Sequence, residues 1–125
     1  MNRSEKRILV VDDSDSVRRF LRDLLLDLGF PLVDEANDGD VALELFRHHP
    51  YGMVITDWSM PRTSGIELLR AIRQGPLRSQ TPVLLLTGHV TAGREVEAME
   101  AGANGFVAKP FVGPALSEKV LLLVR

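Results

Sequence analysis

Four short apolar runs in this chain each break off at residues that carry chemistry. Ile8-Leu9-Val10-Val11 stops at Asp12-Asp13, Met53-Val54-Ile55-Thr56 at Asp57, Val83-Leu84-Leu85-Leu86 at Thr87, and Phe106-Val107-Ala108 at Lys109-Pro110. Short β-rich runs bounded by polar residues read as strands covered on both faces, because such strands are apolar almost throughout. Between them the spacing turns helical. After Asp13, Ser14-Asp15-Ser16 offers N-cap oxygens, and Val17, Phe20, Leu21, Leu24, Leu25 and Leu28 form an apolar stripe opposite Arg18, Arg19, Arg22 and Asp23. Gly29 is the predicted C-cap of that helix.

The rest of the chain repeats the alternation. Leu32 to Ala36 predicts a second strand, and Asn37-Asp38-Gly39 turns into a helix carrying Val41, Ala42, Leu45 and Phe46, which His48-His49-Pro50 ends. Strand three runs from Met53 to Thr56, and Met60-Pro61-Arg62-Thr63-Ser64-Gly65 is a loop before a third helix, Ile66 to Arg73, broken by Gly75-Pro76. Strand four is Val83 to Leu86, helix four Thr91 to Ala101, strand five Phe106 to Ala108, and helix five Pro114 to Val124. Helix four is polar for a core element, with only Ala92, Val96 and Met99 as an apolar stripe. Strands alternating with helices predict an α/β fold, a doubly wound parallel sheet with helices on both faces, since each crossover is right-handed. In an open parallel sheet ligands bind at the carboxyl edge of the strands, which gathers three carboxylates, a hydroxyl and an ammonium in one place.

Composition narrows the function classes. A chain of 125 residues makes a single domain, 1–125, and its 45% hydrophobic and 26% charged residues exclude disordered and collagen-like classes. The net charge of -2 comes from 15 basic and 17 acidic residues mixed along the chain, which gives no electrostatic ground for nucleic-acid binding or an anionic membrane. With no cysteine, disulfides, thiolate metal sites and cysteine nucleophiles are excluded. The apolar stretch after Met1-Asn2-Arg3-Ser4-Glu5-Lys6-Arg7 is too short for a secretory signal, and no run approaches a membrane span; the expected location is cytoplasmic.

The gathered groups suit phosphoryl transfer. An aspartate at a strand end can attack phosphorus and form an acyl phosphate. Clustered carboxylates repel one another unless a hard cation holds their charge, and Mg²⁺ is the expected cofactor because it takes carboxylate oxygens and bridges to phosphoryl oxygens. The phosphoryl group spreads charge over its equatorial oxygens, which calls for cations and donors around them. Lys109 supplies a point charge, Thr87 a hydroxyl, and backbone N–H groups after Asp57 and Thr87 complete a cradle.

These residues resemble a family, the receiver domain of two-component response regulators, and within it the single-domain CheY-like type of chemotaxis. The resemblance spans nearly the whole chain: Asp12-Asp13, Asp57 followed by Met60-Pro61 and Gly65, Thr87-Gly88, and Phe106-Val107-Ala108-Lys109-Pro110-Phe111. Each motif alone is weak, whereas all of them in this order and at these intervals are highly specific. The resemblance implies a flavodoxin-like (βα)5 fold with strand order 2-1-3-4-5. It implies that Asp57 accepts a phosphoryl group from a histidine kinase or phosphotransfer protein. Asp12, Asp13, Asp57 and the backbone carbonyl of Ser59 would bind Mg²⁺. Lys109, Thr87, Gly88 and the backbone N–H groups of Trp58 and Ser59 would bind the phosphoryl group. Movement of Thr87 would let Phe106 turn inward and shift the surface of helix four, strand five and helix five, which is the output toward a downstream protein, an output domain or a dimer partner. Lys109-Pro110 would be a cis peptide bond that aims the lysine at the site. The resemblance also implies that the chain promotes its own phosphorylation and dephosphorylation and is otherwise not an enzyme.

Three positions depart from the family pattern or tune it. Phe106 stands where chemotaxis-type members have tyrosine, so an output contact through a phenol oxygen is absent. Ser59 and His89, two residues beyond Asp57 and Thr87, flank the path of an attacking water and are expected to tune dephosphorylation.

Blander roles compete for each residue. Asp12-Asp13 can cap a helix, Asp57 can belong to a turn, Lys109 can be solvated, Trp58 and Phe106 can be core, and His48-His49 fit a helix C-terminus for dipole reasons. An acid ending a buried apolar strand is costly without a function, which weighs for Asp57. Two rival functions remain. A haloacid dehalogenase-type phosphatase would use Asp13-Ser14-Asp15-Ser16-Val17, but it needs a late acidic pair, and after Lys109 the only acid is Glu118. A degenerate receiver acting only as a binding module conflicts with an intact set of acids, hydroxyl and lysine.

Overall fold

Each apolar run becomes a strand and each polar stop a strand end. In this computed structural model the strands are β1 (Arg7–Val11), β2 (Leu32–Ala36), β3 (Met53–Asp57), β4 (Val83–Thr87) and β5 (Gly105–Ala108). Residues 2–76, 79–110 and 113–124 are described, so Phe111 of the closing motif and the two terminal residues lie outside them. The strands form one parallel sheet in the order β2-β1-β3-β4-β5, the order implied by the resemblance. Its register sets the site: Val11 lies opposite Thr56, Asp57 opposite Leu86, and Thr87 opposite Ala108. Asp12, Asp57, Thr87 and Lys109 therefore emerge along one edge.

The helices are α1 (Asp15–Asp27), α2 (Gly39–His48), α3 (Gly65–Gln74), α4 (Ala92–Glu100) and α5 (Gly113–Leu123). Polar side chains start four of them. Ser14 accepts from the Val17 N–H, Asp38 from Val41, Thr91 from Arg94, and Ser64 and Glu67 form a reciprocal capping box. At the end of α1 the cap is Leu28. Gly29, predicted for that role, stands one residue beyond with φ 95°, the left-handed conformation in which glycine avoids a side-chain penalty.

The strands alternate their side chains between two cores. Leu9, Val11, Val54, Val83 and Leu85 pack under α2, α3 and α4, with Trp58, Leu68, Leu69 and Ile72. Ile8, Val10, Met53, Ile55, Leu84 and Leu86 pack under α1 and α5, with Leu21, Leu25, Leu116 and Val120. Both faces of β1, β3 and β4 are thus covered, which is why these strands read as continuous apolar runs. α4 is the thin element of the layer, burying Ala98 alone. A short 3-10 turn, Arg3–Glu5, precedes β1 and buries nothing, so no hydrophobic pattern announces it. Among the described residues no helix is long and apolar enough to cross a membrane.

Candidate functional site

The carboxyl edge of the sheet holds Asp12, Asp13 and Asp57 with one carboxylate oxygen of each within 4.8 Å of the others. Asp12 is fully buried and Asp57 nearly so, while Asp13 faces solvent at the mouth. The Ser14 N–H donates to Asp12 Oδ1 at 2.9 Å, and the Arg18 guanidinium donates to the Asp12 carbonyl, so the turn into α1 fixes this acid from both ends. Lys109 closes the cluster. Its Nζ lies 3.0 Å from Asp12 Oδ2 and 3.1 Å from Asp57 Oδ1. The Lys109-Pro110 bond is cis, and the Lys109 N–H donates to the Thr87 carbonyl at 2.7 Å.

Two opposing influences act on the nucleophile candidate. Burial, followed by the like charge of Asp12, pushes the Asp57 carboxyl above its ordinary value, while Lys109 and the Ser59 N–H pull the other way and lose. For Lys109, burial by itself would lower the ammonium, but its hydrogen bond and charge contact with Asp12, and then Asp57, outweigh burial and hold it above its usual range. One ammonium thus shares two buried carboxylates, with a third acid at the rim. That donor set is all oxygen, crowded and short of positive charge, which fits a hard divalent cation of the Mg²⁺ type.

Glycine keeps the loop after β3 close. A Cβ on Gly65 would overlap the Asp57 carbonyl oxygen, and the Gly65 N–H donates to the Trp58 carbonyl at 2.9 Å. The start of α3 is thereby seated directly on the residue that carries the chemistry.

The hydroxyl predicted to complete the cradle is engaged elsewhere. Thr87 ends β4 and is buried, but its Oγ1 accepts from the His89 N–H at 3.1 Å and from Arg94 Nη1 at 2.9 Å. Arg94 lies with its guanidinium 4.8 Å from the centre of the Trp58 ring, and that ring meets Phe106 edge-on at 6.2 Å. Trp58 is therefore more than a buried aromatic beside the site: it links Arg94 to Phe106. Nothing in the sequence patterns singled out Arg94, although a cation in the first turn of a helix stands against the helix dipole and is the signal that was there to see.

The remaining predicted groups divide. Ser59 is exposed and its N–H reaches Asp57. The Trp58 N–H does not serve the site: it donates to the Leu86 carbonyl at 2.8 Å, because Trp58 continues the β3–β4 ladder by one residue. Gly88 and His89 are exposed at the mouth, and a Cβ on Gly88 would meet only open space. His48 lies at the end of α2 with Nδ1 2.8 Å from the Glu44 carbonyl oxygen, apart from the acidic cluster. Asp15, which the phosphatase alternative requires, is exposed and paired with Arg18.

Residues 8–121 match the family model described as the response regulator receiver domain. The chain belongs to that family. It is 42% identical over 114 residues to the chemotaxis protein CheY of Pseudomonas aeruginosa, covering 91% of this chain and 92% of that protein. It is 41% identical to CheY-3 of Vibrio cholerae, over 91% of this chain and 88% of the relative. A solved structure of CheY4 from Vibrio cholerae superposes with a TM-score of 0.88 at 31% identity, covering 95% of this chain and 98% of that one. The receiver domain of Francisella response regulator 1452 gives 0.87 at 28% identity, over 95% and 96%. The protein is thus a CheY-like signalling domain of two-component type with its acidic pocket intact, and receiver domains bind Mg²⁺ in that pocket.

Proposed function

We propose that Asp57 takes a phosphoryl group from a phosphohistidine on a kinase or phosphotransfer protein, and that residues 1–125 act as one receiver domain in doing so. The observation that carries this is the buried Asp57 carboxylate at a strand end, held 3.1 Å from a lysine that also holds Asp12. An Asp57 oxygen attacks phosphorus, the bond from phosphorus to the donor imidazole breaks, and the imidazole keeps the electron pair. Asp12, Asp13, Asp57 and the Ser59 carbonyl are the ligands for Mg²⁺, which when bound neutralises charge on the transferring group. Lys109 balances the acyl phosphate, and the Ser59 N–H, the Gly88 N–H and, once turned, the Thr87 hydroxyl donate to its oxygens. Hydrolysis of the same acyl phosphate resets the domain.

Output follows from the contact of Trp58 with Phe106. Repacking these rings on phosphorylation changes the face formed by α4, β5 and α5, where Val96, Met99 and Leu122 are exposed, and that face engages a downstream protein, an output domain or a second copy. The expected cytoplasmic setting goes with such partners. Trp58 is the chain's single tryptophan, so its emission reports the site directly. Mg²⁺ and then beryllofluoride, a phosphoryl mimic, should each change that emission in the parent, and Asp57→Asn should abolish the beryllofluoride response. An unchanged response in Asp57→Asn would overturn the assignment.

A further inference from the structure

Arg94, on α4, holds Thr87 by its hydroxyl oxygen. Its Nη1 donates to Thr87 Oγ1 at 2.9 Å, the His89 N–H donates to the same oxygen at 3.1 Å, and the hydroxyl's own direction is toward the His89 carbonyl at 3.4 Å. Every one of those partners belongs to the β4–α4 loop or to α4. The cation that faces Asp57 is Lys109, whereas the Arg94 guanidinium lies over Trp58 at 4.8 Å and is half-buried there. Its backbone N–H is capped by Thr91 at 3.1 Å, which places the side chain in the first turn of α4, where a positive charge is disfavoured by the helix dipole. The position is therefore maintained by the Trp58 ring and the Thr87 oxygen together, a planar cation serving one ring face and one acceptor at once.

We propose that Arg94 is a positioning residue that latches Thr87 in the unphosphorylated domain and opposes its turn toward the phosphoryl group. This rests on the phosphoacceptor role given above to Asp57 and Thr87. For Thr87 to donate to a phosphoryl oxygen on Asp57, its hydroxyl must leave the position in which Arg94 binds it. Loss of that charge-assisted bond is charged against phosphoryl binding in the parent, and the first turn of α4 is released in the same event. Arg94 thereby couples occupancy of the site to the helix that carries the output face.

The test is the affinity for beryllofluoride at saturating Mg²⁺, measured by calorimetry so that the readout does not depend on Trp58. Arg94→Met, which keeps an apolar stem over the indole but cannot donate, should bind about fivefold more tightly, the ratio equivalent to ~1 kcal/mol. Arg94→Lys should fall between it and the parent, and in a Thr87→Val background the Arg94→Met gain should vanish. Equal or weaker binding by Arg94→Met, or a gain that persists without the Thr87 hydroxyl, overturns the latch alone. Absence of binding by the parent overturns the phosphoacceptor role and the latch with it. A merely structural contribution of Arg94 predicts loss of affinity, so a fold defect cannot imitate the expected gain; if Arg94→Met does not fold, Arg94→Lys carries the same comparison, and parent-like affinity in it overturns the latch.

Discussion

The Lys109 ammonium meets Asp12 Oδ2 at 3.0 Å although two strands, β3 and β4, separate β5 from β1 in the sheet. The lysine spans the site from one side to the other and occupies oxygens that a cation would need. Lys109→Met should therefore raise the affinity for Mg²⁺ by several-fold, while lowering stability in the metal-free state by about 1–3 kcal/mol because two buried carboxylates lose their counter-charge. Calorimetric Mg²⁺ titration and urea unfolding with chelator check the two halves. Weaker Mg²⁺ binding in the variant would show that Lys109 supports the metal site and does not compete with it.

Asp57 gives a pH dependence with a definite sign. Burial and Asp12 raise its folded value above the unfolded one, so the folded state holds the proton more readily. The group is without cost below its unfolded value, and stability falls as pH rises through the window up to the raised folded value. Asp57→Asn should therefore be more stable than the parent at neutral pH without metal, by on the order of 1 kcal/mol, and the difference should shrink as pH is lowered through the carboxylate range. Urea midpoints at a series of pH values measure it.

Gly65→Ala should cost about 1–3 kcal/mol, since the new Cβ would overlap the Asp57 carbonyl oxygen and that oxygen belongs to a strand that cannot yield freely. Because the strain falls on Asp57 itself, phosphorylation should slow even at temperatures where the variant is folded. Gly88→Ala is the control, since its Cβ meets only open space.

Ser59 and His89 are both exposed, and Ser59 reaches Asp57 through its backbone N–H and not its side chain. Exchanging either should change the acyl phosphate lifetime by several-fold while leaving phosphorylation intact, as followed by the decay of labelled protein. Identical decay in both variants would remove them from the hydrolytic path.

Sequence patterns located every strand, and β1, β3 and β4 most directly, because burial on both faces leaves an unbroken apolar run such as Val83 to Leu86 with no competing period. Asp12, Asp13, Asp57 and Lys109 were legible for a related reason: each stands at the polar stop of an apolar run, and the register of a parallel sheet brings those ends together. The contacts of Arg94 were not legible, since they depend on where the start of α4 stands relative to the end of β3, a distance no local pattern encodes. The pairing of Tyr51 and Arg7 with Asp34 at 2.7 and 3.0 Å escaped for the same cause: the three residues lie on separate segments and only the folded sheet joins them. The engagement of the Trp58 N–H with Leu86 was likewise a matter of how far a ladder runs, which an apolar pattern ending at Asp57 understates.

α4 is fastened to the molecule by little. It buries only Ala98, whereas α3 buries Ile66, Leu68, Leu69 and Ile72, so the hydrophobic free energy that seats α4 is smaller by several kcal/mol at ~0.8 kcal/mol per methylene. An element held so loosely opens locally long before the domain unfolds, and its amides should exchange with solvent at a free energy far below the global value. A single acyl phosphate has only modest energy to redistribute among conformations, and a helix near the bottom of the stability range is one it can move.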